Sequence, residues 1–287
     1  MRKTLIATAV LAALAASSTV MAEEAAAPAE HTFTANVGVV SDYIFRGISQ
    51  THGKPAIQGG FDYAHSSGLY AGLWGSSISW VSDAQNTSVP VEIDLYAGFK
   101  NSFAGGDWNY DVGFISYNYP GTKDVQPNRS AKADTAEVYG ALGWKWLTLK
   151  YSHTVSKHFV AWYGGDAAAN EFKNTRGSGY LELNANYDLG DGWAVLGHVG
   201  HQKVKNYVKV GDNDASYTDY KIGVTKDVGY GVFGIAYTDT NSKGTCDGGN
   251  GGTNAYCWGV YSSGSNTSNN FRNVSDGQVV VTFNKTF

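Results

Sequence analysis

Residues 91–100 read Val-Glu-Ile-Asp-Leu-Tyr-Ala-Gly-Phe-Lys, which places Glu92, Asp94 and Lys100 on one face of an extended chain and Val91, Ile93, Leu95, Ala97 and Phe99 on the other. A wall of charges at two-residue spacing sets which ions and polar solutes collect beside it. The pattern recurs at 181–189, where Glu182 and Asp188 alternate with Leu181, Leu183, Ala185, Tyr187 and Leu189. The same rule elsewhere adds Asp62, Asp111, Glu137, Asp219, Lys145, Lys150 and Lys221 to the charged face. The balance is mildly acidic and would favour neutral or cationic solutes over anions. The competing reading is that these groups pair across adjacent strands and fill the interior.

Other chemistry is weakly supported. The seven histidines show no HExxH or paired-cysteine spacing. His153 with a neighbouring serine could in principle build a lipase site at a barrel surface, yet no serine is singled out, and His158, His198 and His201 fit no motif. Cys246 and Cys257 bracket a Gly-rich segment without the bidentate acid of a calcium loop, so a disulfide across an exposed loop is expected. No metal, cofactor or catalytic residue is expected.

The elements that carry these faces are strands. Alternation and turn residues predict about twelve: 32–40, 56–64, 69–78, 91–100, 108–117, 137–146, 147–155, 181–189, 193–202, 217–225, 230–238 and 277–287. Connections after the even-numbered strands are short, such as 65–68, 190–192 and 226–229, with almost nothing at Trp146-Leu147. Those after the odd-numbered strands are long and polar. An even strand count with strictly alternating short and long links predicts an all-β, antiparallel, up-and-down transmembrane β-barrel, with short periplasmic turns and long extracellular loops. A charge facing lipid at mid-bilayer costs roughly 2–4 kcal/mol, so the uncharged faces must look outward. Tyr63, Phe99, Trp108, Tyr110, Trp144, Trp146, Trp193, Tyr230 and Phe283 gather near the short turns and predict an interfacial girdle.

Composition agrees. The 287 residues include 36 Gly, 19 Tyr, 12 Phe and 8 Trp, and the mean hydropathy of −0.27 suits a barrel whose strands are half wet. A formal charge of −4 gives no support for nucleic-acid binding. Met1-Arg2-Lys3, an apolar run and Val20-Met21-Ala22 predict a cleaved signal peptide at 1–22, a flexible leader at 23–31 and a barrel at 32–287. The terminal Phe287 resembles the aromatic that outer-membrane barrels offer to their assembly machinery, and Lys285 is the one charge on the outward side of the last strand.

Ser41-Asp42-Tyr43-Ile44-Phe45-Arg46-Gly47-Ile48-Ser49-Gln50-Thr51, then Pro55 to Tyr63 and Gly68 to Ser76, resembles the opening of the TorF family of proteobacterial porins, also labelled Gcw_chp. The Asp188-Leu189-Gly190 turn fits the same spacing. The resemblance implies an outer-membrane barrel and brings no catalytic or binding residues with it. Within this run, Asp42 and Arg46 either stand at a pore mouth or pair structurally, Arg46 with Asp42 or with a neighbouring strand. The expected function is a passive outer-membrane channel for small hydrophilic solutes. Its partners would be outer-membrane lipid and the barrel-assembly machinery. A plugged structural or adhesive barrel, or a barrel lipase, are the alternatives.

Overall fold

The computed structural model describes residues 29–85, 89–121, 133–162, 164–165, 173–207, 214–246, 253–261 and 268–287. The signal-peptide segment and the Gly-rich stretch between the cysteines lie outside the described residues. Twelve strands form a closed sheet. They are β1 (His31–Val40), β2 (Ala56–His65), β3 (Leu69–Ser77), β4 (Val91–Phe103), β5 (Trp108–Asn118), β6 (Thr135–Trp144), β7 (Leu147–Thr154), β8 (Gly179–Gly190), β9 (Trp193–Lys203), β10 (Tyr217–Asp227), β11 (Val232–Thr240) and β12 (Gln278–Thr286).

Each strand pairs antiparallel with its chain neighbours, and β1 closes the ring on β12 through Asn36↔Thr286 to Val40↔Thr282. Closure satisfies every ladder, which an open edge in hydrocarbon could not do. The outward face is apolar at position after position: Phe61, Leu73, Leu95, Phe114, Leu142, Leu149, Leu183, Val195, Ile222, Ile235 and Val281 are all exposed. Water would not tolerate a belt of this extent, so the barrel is a membrane-spanning one. No helix among the described residues is long and apolar enough to cross a membrane.

The short-turn end carries the aromatic girdle. Trp108 sits 6.3 Å from Trp144 and 6.1 Å from Phe103, Trp146 meets Tyr187 edge-on at 5.8 Å, and Phe283 packs 4.7 Å from Phe233. Lysine heads lie over these rings, Lys226 over Trp193 and Lys285 over Phe287, so their stems follow apolar surface while the charges reach the headgroups. The turn between β8 and β9 runs through positive φ at Gly190, Asp191 and Gly192, and the register shifts at Asp188/Gly190. Several strand ends differ from the sequence reading by one to three residues, and one of these moves a charge off the wall. β6 ends at Trp144, and Lys145-Trp146 form the turn, with Lys145 at φ 54 and 3.7 Å from Asp107. Lys145 therefore stands at the rim and not on a strand wall.

Some of the glycines and tyrosines pack on one another. Tyr96 is paired across from Gly72, Tyr70 from Gly98 and Tyr139 from Gly113, and each tyrosine occupies the space a Cβ on its partner would take. A Cβ at Gly113 would meet the Tyr139 hydroxyl at 2.5 Å and the Ala97 carbonyl oxygen at 2.9 Å. Gly113→Val should therefore cost about 1–3 kcal/mol by overpacking and lower the temperature at which the unheated gel form converts to the unfolded one. An unchanged conversion temperature would show that the tyrosine layer carries no packing constraint.

Candidate functional site: the barrel interior and its inner loop

Loop 1 (41–55) does not project from the barrel; it folds into it. Ile44–Phe45 and Ile48–Ser49 pair as a miniature hairpin whose two-residue tip is Arg46-Gly47. Both tip residues have positive φ, 48° and 78°, the backbone of a tight hairpin turn. Gly47 is needed for space as well as conformation, because a Cβ there would lie 2.6 Å from Asp219 Cβ and 2.7 Å from Thr240 Cγ2.

The tip is tied to the far wall. Arg46 donates to both oxygens of Glu137 on β6, at 2.6 and 3.2 Å, and to Gln202 Oε1 on β9 at 2.8 Å. Its guanidinium lies 4.3 Å over the Tyr180 ring and 4.8 Å over Phe45. The Tyr217 hydroxyl donates to the Arg46 carbonyl oxygen at 2.7 Å. Burial alone would loosen the Arg46 proton, but Glu137 outweighs it and holds the guanidinium charged. Of the two expected structural pairings, that with Asp42 does not form, and Arg46 pairs with strand residues, on β6 and β9 of the far wall. Asp42 instead accepts from Ser49 and Thr51, each at 2.7 Å, and fixes the base of the loop. Burial pushes its carboxyl above the usual range against those donations.

Beneath the loop lies a cavity of about 1010 Å³. It is lined at the short-turn end by Lys145, Asp191, Trp193 and Asn284, and its roof is Asp42, Tyr43, Phe45, Arg46 and Gly47. Between them its wall carries Asp94, Glu182 and Asp219 against Lys150 and Lys221, with Asn184 and Thr282 among the neutral groups, while Asp188 and Asp227 border it at the short turns, accepting from the Gly190 and Gly229 amides. Asp219 is the best-anchored acid. It accepts from Tyr180 at 2.6 Å and lies 3.1 Å from His198 Nε2, whose Nδ1 is 2.7 Å from Asn184 Oδ1.

The remaining charges suggested by the alternation occupy different surroundings. Glu92 is 1% exposed and accepts from Tyr43 of loop 1 at 3.1 Å, while Glu137 is fully buried under Arg46, so both hold the loop and neither faces the cavity. Asp62 accepts from Tyr96, Asp111 accepts from Tyr70 at 2.6 Å, and Lys100 lies over the Tyr70 ring. These three belong to a tyrosine layer on the β2–β6 side, which displaces the open space towards β7–β12. His153 contacts the Tyr151 hydroxyl at 3.2 Å, and no serine joins it among the described residues.

Above loop 1 the long connections pack on one another. Trp80 of the short helix α1 (Trp80–Gln85) meets Tyr119 edge-on at 5.1 Å and lies 6.0 Å from Trp258. Ile48, Tyr217, Tyr256 and Val274 form a second cluster. The Ser49 amide donates to the Val274 carbonyl oxygen at 2.8 Å, linking loop 1 to the last connection. Cys246 and Cys257 are disulfide-bonded, which anchors the start of the Cys257–Tyr261 strand in this layer. Replacing both cysteines with serine should raise protease cutting in the 241–277 connection severalfold, by freeing loop entropy worth up to about 3 kcal/mol, without altering the heat-modifiable gel shift of the barrel. Unaltered cutting would show that the aromatic layer alone fixes the loop.

Residues missed from the sequence are those that seat loop 1: Gln202, Tyr217, Tyr180 and Glu137 in its actual role. A signal was present, since Tyr43, Ile44, Phe45 and Ile48 are too apolar for an exposed loop.

A closed sheet with an apolar exterior, a charged interior and long connections at one end defines a membrane β-barrel with an infolded first loop. The chain belongs to the Gcw_chp family, described as "Bacterial protein of unknown function (Gcw_chp)", which it matches over residues 23–287. No curated protein sequence matches it. Similar solved structures include the KdgM porin, at 5% identity and TM-score 0.47 over 88% of this chain and 99% of that one. NanC porin gives 10% and 0.47 over 89% and 98%. LpxR from Salmonella typhimurium gives 11% and 0.39 over 88% and 99%.

Proposed function

We propose that this chain is a passive channel for small hydrophilic solutes in a Gram-negative outer membrane, mildly cation-preferring, with loop 1 as its constriction. The observation that carries the reading is the charged cavity. It runs from the short-turn rim to a roof held by one buried ion pair, and its wall carries more acids than bases. A structural barrel has no need for a cavity of that size lined by charges. Of the residues expected to line a passage, Asp94, Lys150, Glu182, Asp188, Asp219 and Lys221 would form its wall, Lys145 its inner rim, and Arg46 with Asp42 its constriction in place of its mouth. The signal peptide at 1–22, the TorF assignment and recognition of Phe287 by the assembly machinery belong to the same reading.

Purified protein in planar bilayers should give discrete conductance steps with a modest cation preference in salt gradients. The apolar layer over loop 1 favours a second reading, a plugged barrel acting through its outer connections. Silent bilayers with protein that still shows the heat-modifiable gel shift would select the plugged barrel.

A further inference from the structure

The outward face of β7, β8 and β9 carries a basic cluster at one level. The registers place His153, Gly179 and Lys203 on one row across the three strands, and Tyr151, Leu181 and His201 on the next. Exposed Tyr151, Leu181 and Val199 establish that these odd-numbered positions face out of the barrel. From Leu189 near the short-turn rim to Gly179 the tilted strand climbs roughly 25 Å, about the height of a barrel's apolar band. The row therefore lies where hydrocarbon gives way to headgroups at the long-loop end.

The chain just beyond these strands adds more charge. Lys157, Arg176, Lys203 and Lys205 are all exposed. Two backbone bonds and one to a side chain gather their segments: Gly177 N to Thr154 O at 2.9 Å, Thr175 N to Lys157 O at 3.2 Å and Lys205 N to Ser178 Oγ at 3.0 Å. Bare Gly177 leaves the floor open. A Cβ there would lie 3.2 Å from Lys205 Nζ and 3.8 Å from His153 Cε1. Among the described residues, none of these four cations has a carboxylate within ion-pair distance. The same row passes to Val138 on β6, and on the other flank His201 is paired with Thr218 of β10, so neither neighbouring strand adds a charge at these positions.

We propose that this sector binds the phosphorylated headgroup of an outer-leaflet glycolipid, with its acyl chains along Tyr151, Leu181 and Val199. Convergent cations at the interface need an anion, and a phosphate accepts from an arginine fork and from lysine point charges together. Aromatic and imidazole edges beside them suit a headgroup that is also polar and sugar-like. The inference rests on the membrane-spanning fold and is independent of whether the lumen conducts.

The test is native mass spectrometry of the full mature barrel in neutral detergent, titrated with diphosphoryl lipid A. Retention of one lipid by the parent protein is expected, weakened on the order of 10-fold or more in Arg176→Gln/Lys203→Gln/Lys205→Gln. Lys54→Gln/Lys243→Gln, elsewhere on the same end, should bind as the parent does. Should the triple variant fail to show the gel shift of a folded barrel, Lys203→Gln alone should still weaken retention by about threefold. No retention by the parent, equal loss in the control variant, or equally tight and equally sensitive binding of phosphatidylglycerol would each overturn the proposal.

Discussion

Arg46→Ala is expected to raise single-channel conductance severalfold and to expose loop 1 to protease. In the native protein the guanidinium is held between Glu137 and Gln202 and covers Tyr180. Its removal leaves the fully buried Glu137 carboxylate without its ion-pair partner. Breaking one side of a buried pair costs about 3–5 kcal/mol, which shifts the docked-to-released equilibrium of the loop by roughly 100-fold or more. The ladders of the barrel do not depend on the pair, so the heat-modifiable gel form should persist. Arg46→Lys separates charge from geometry: it keeps the cation but loses the planar two-point contact, and should fall between parent and Ala variant. Parent-like conductance from the Ala variant would remove loop 1 from the conduction path.

The second large effect is on ion selectivity. Glu182 lies on the cavity wall and Asp188 where that wall meets the β8–β9 turn, its carboxylate accepting from the Gly190 amide at 2.8 Å, and neither seats loop 1. Reversing both, Glu182→Lys with Asp188→Lys, moves the local balance by four charges on the wall that already carries Lys150 and Lys221. The reversal potential in a salt gradient should change sign, from cation to anion preference, since wall charge sets the mobile ion population. The change should shrink as salt rises, because the Debye length falls from about 10 Å at 0.1 M to about 3 Å at 1 M. Glu92→Gln is the matching control: that side chain is buried against Tyr43, so selectivity should hold while loop 1 loosens. An unmoved reversal potential in the double variant would mean that ions do not pass through this cavity.

The strands were legible because a membrane barrel imposes one repeated rule. The segment 91–100 alternates without a break, and the observed β4 begins at the same Val91. The penalty for a charge in lipid orients each such strand independently of its neighbours, so even 181–189 could be turned the right way with no partner known. Lys145 shows the limit. Trp144-Lys145-Trp146 continues the alternation, and only the positive φ at Lys145 reveals a turn. The interior was less legible, since facing inward is a property of one strand, whereas facing open space depends on what crosses the lumen. Glu92 and Asp94 share a face and spacing, yet one holds a loop and the other borders the cavity. Arg46 presented the same difficulty, because its partners lie 91 and 156 residues away and no local pattern encodes them.

That separation has a consequence for assembly. Glu137 and Gln202 are brought opposite the tip of loop 1 only when the sheet from β1 through β9 has curled round, so the contact carries the loop-closure entropy of most of the chain. The Arg46 latch is therefore a late event and a reporter of completion. A probe on loop 1 would stay mobile through insertion and stop moving once the cylinder is whole.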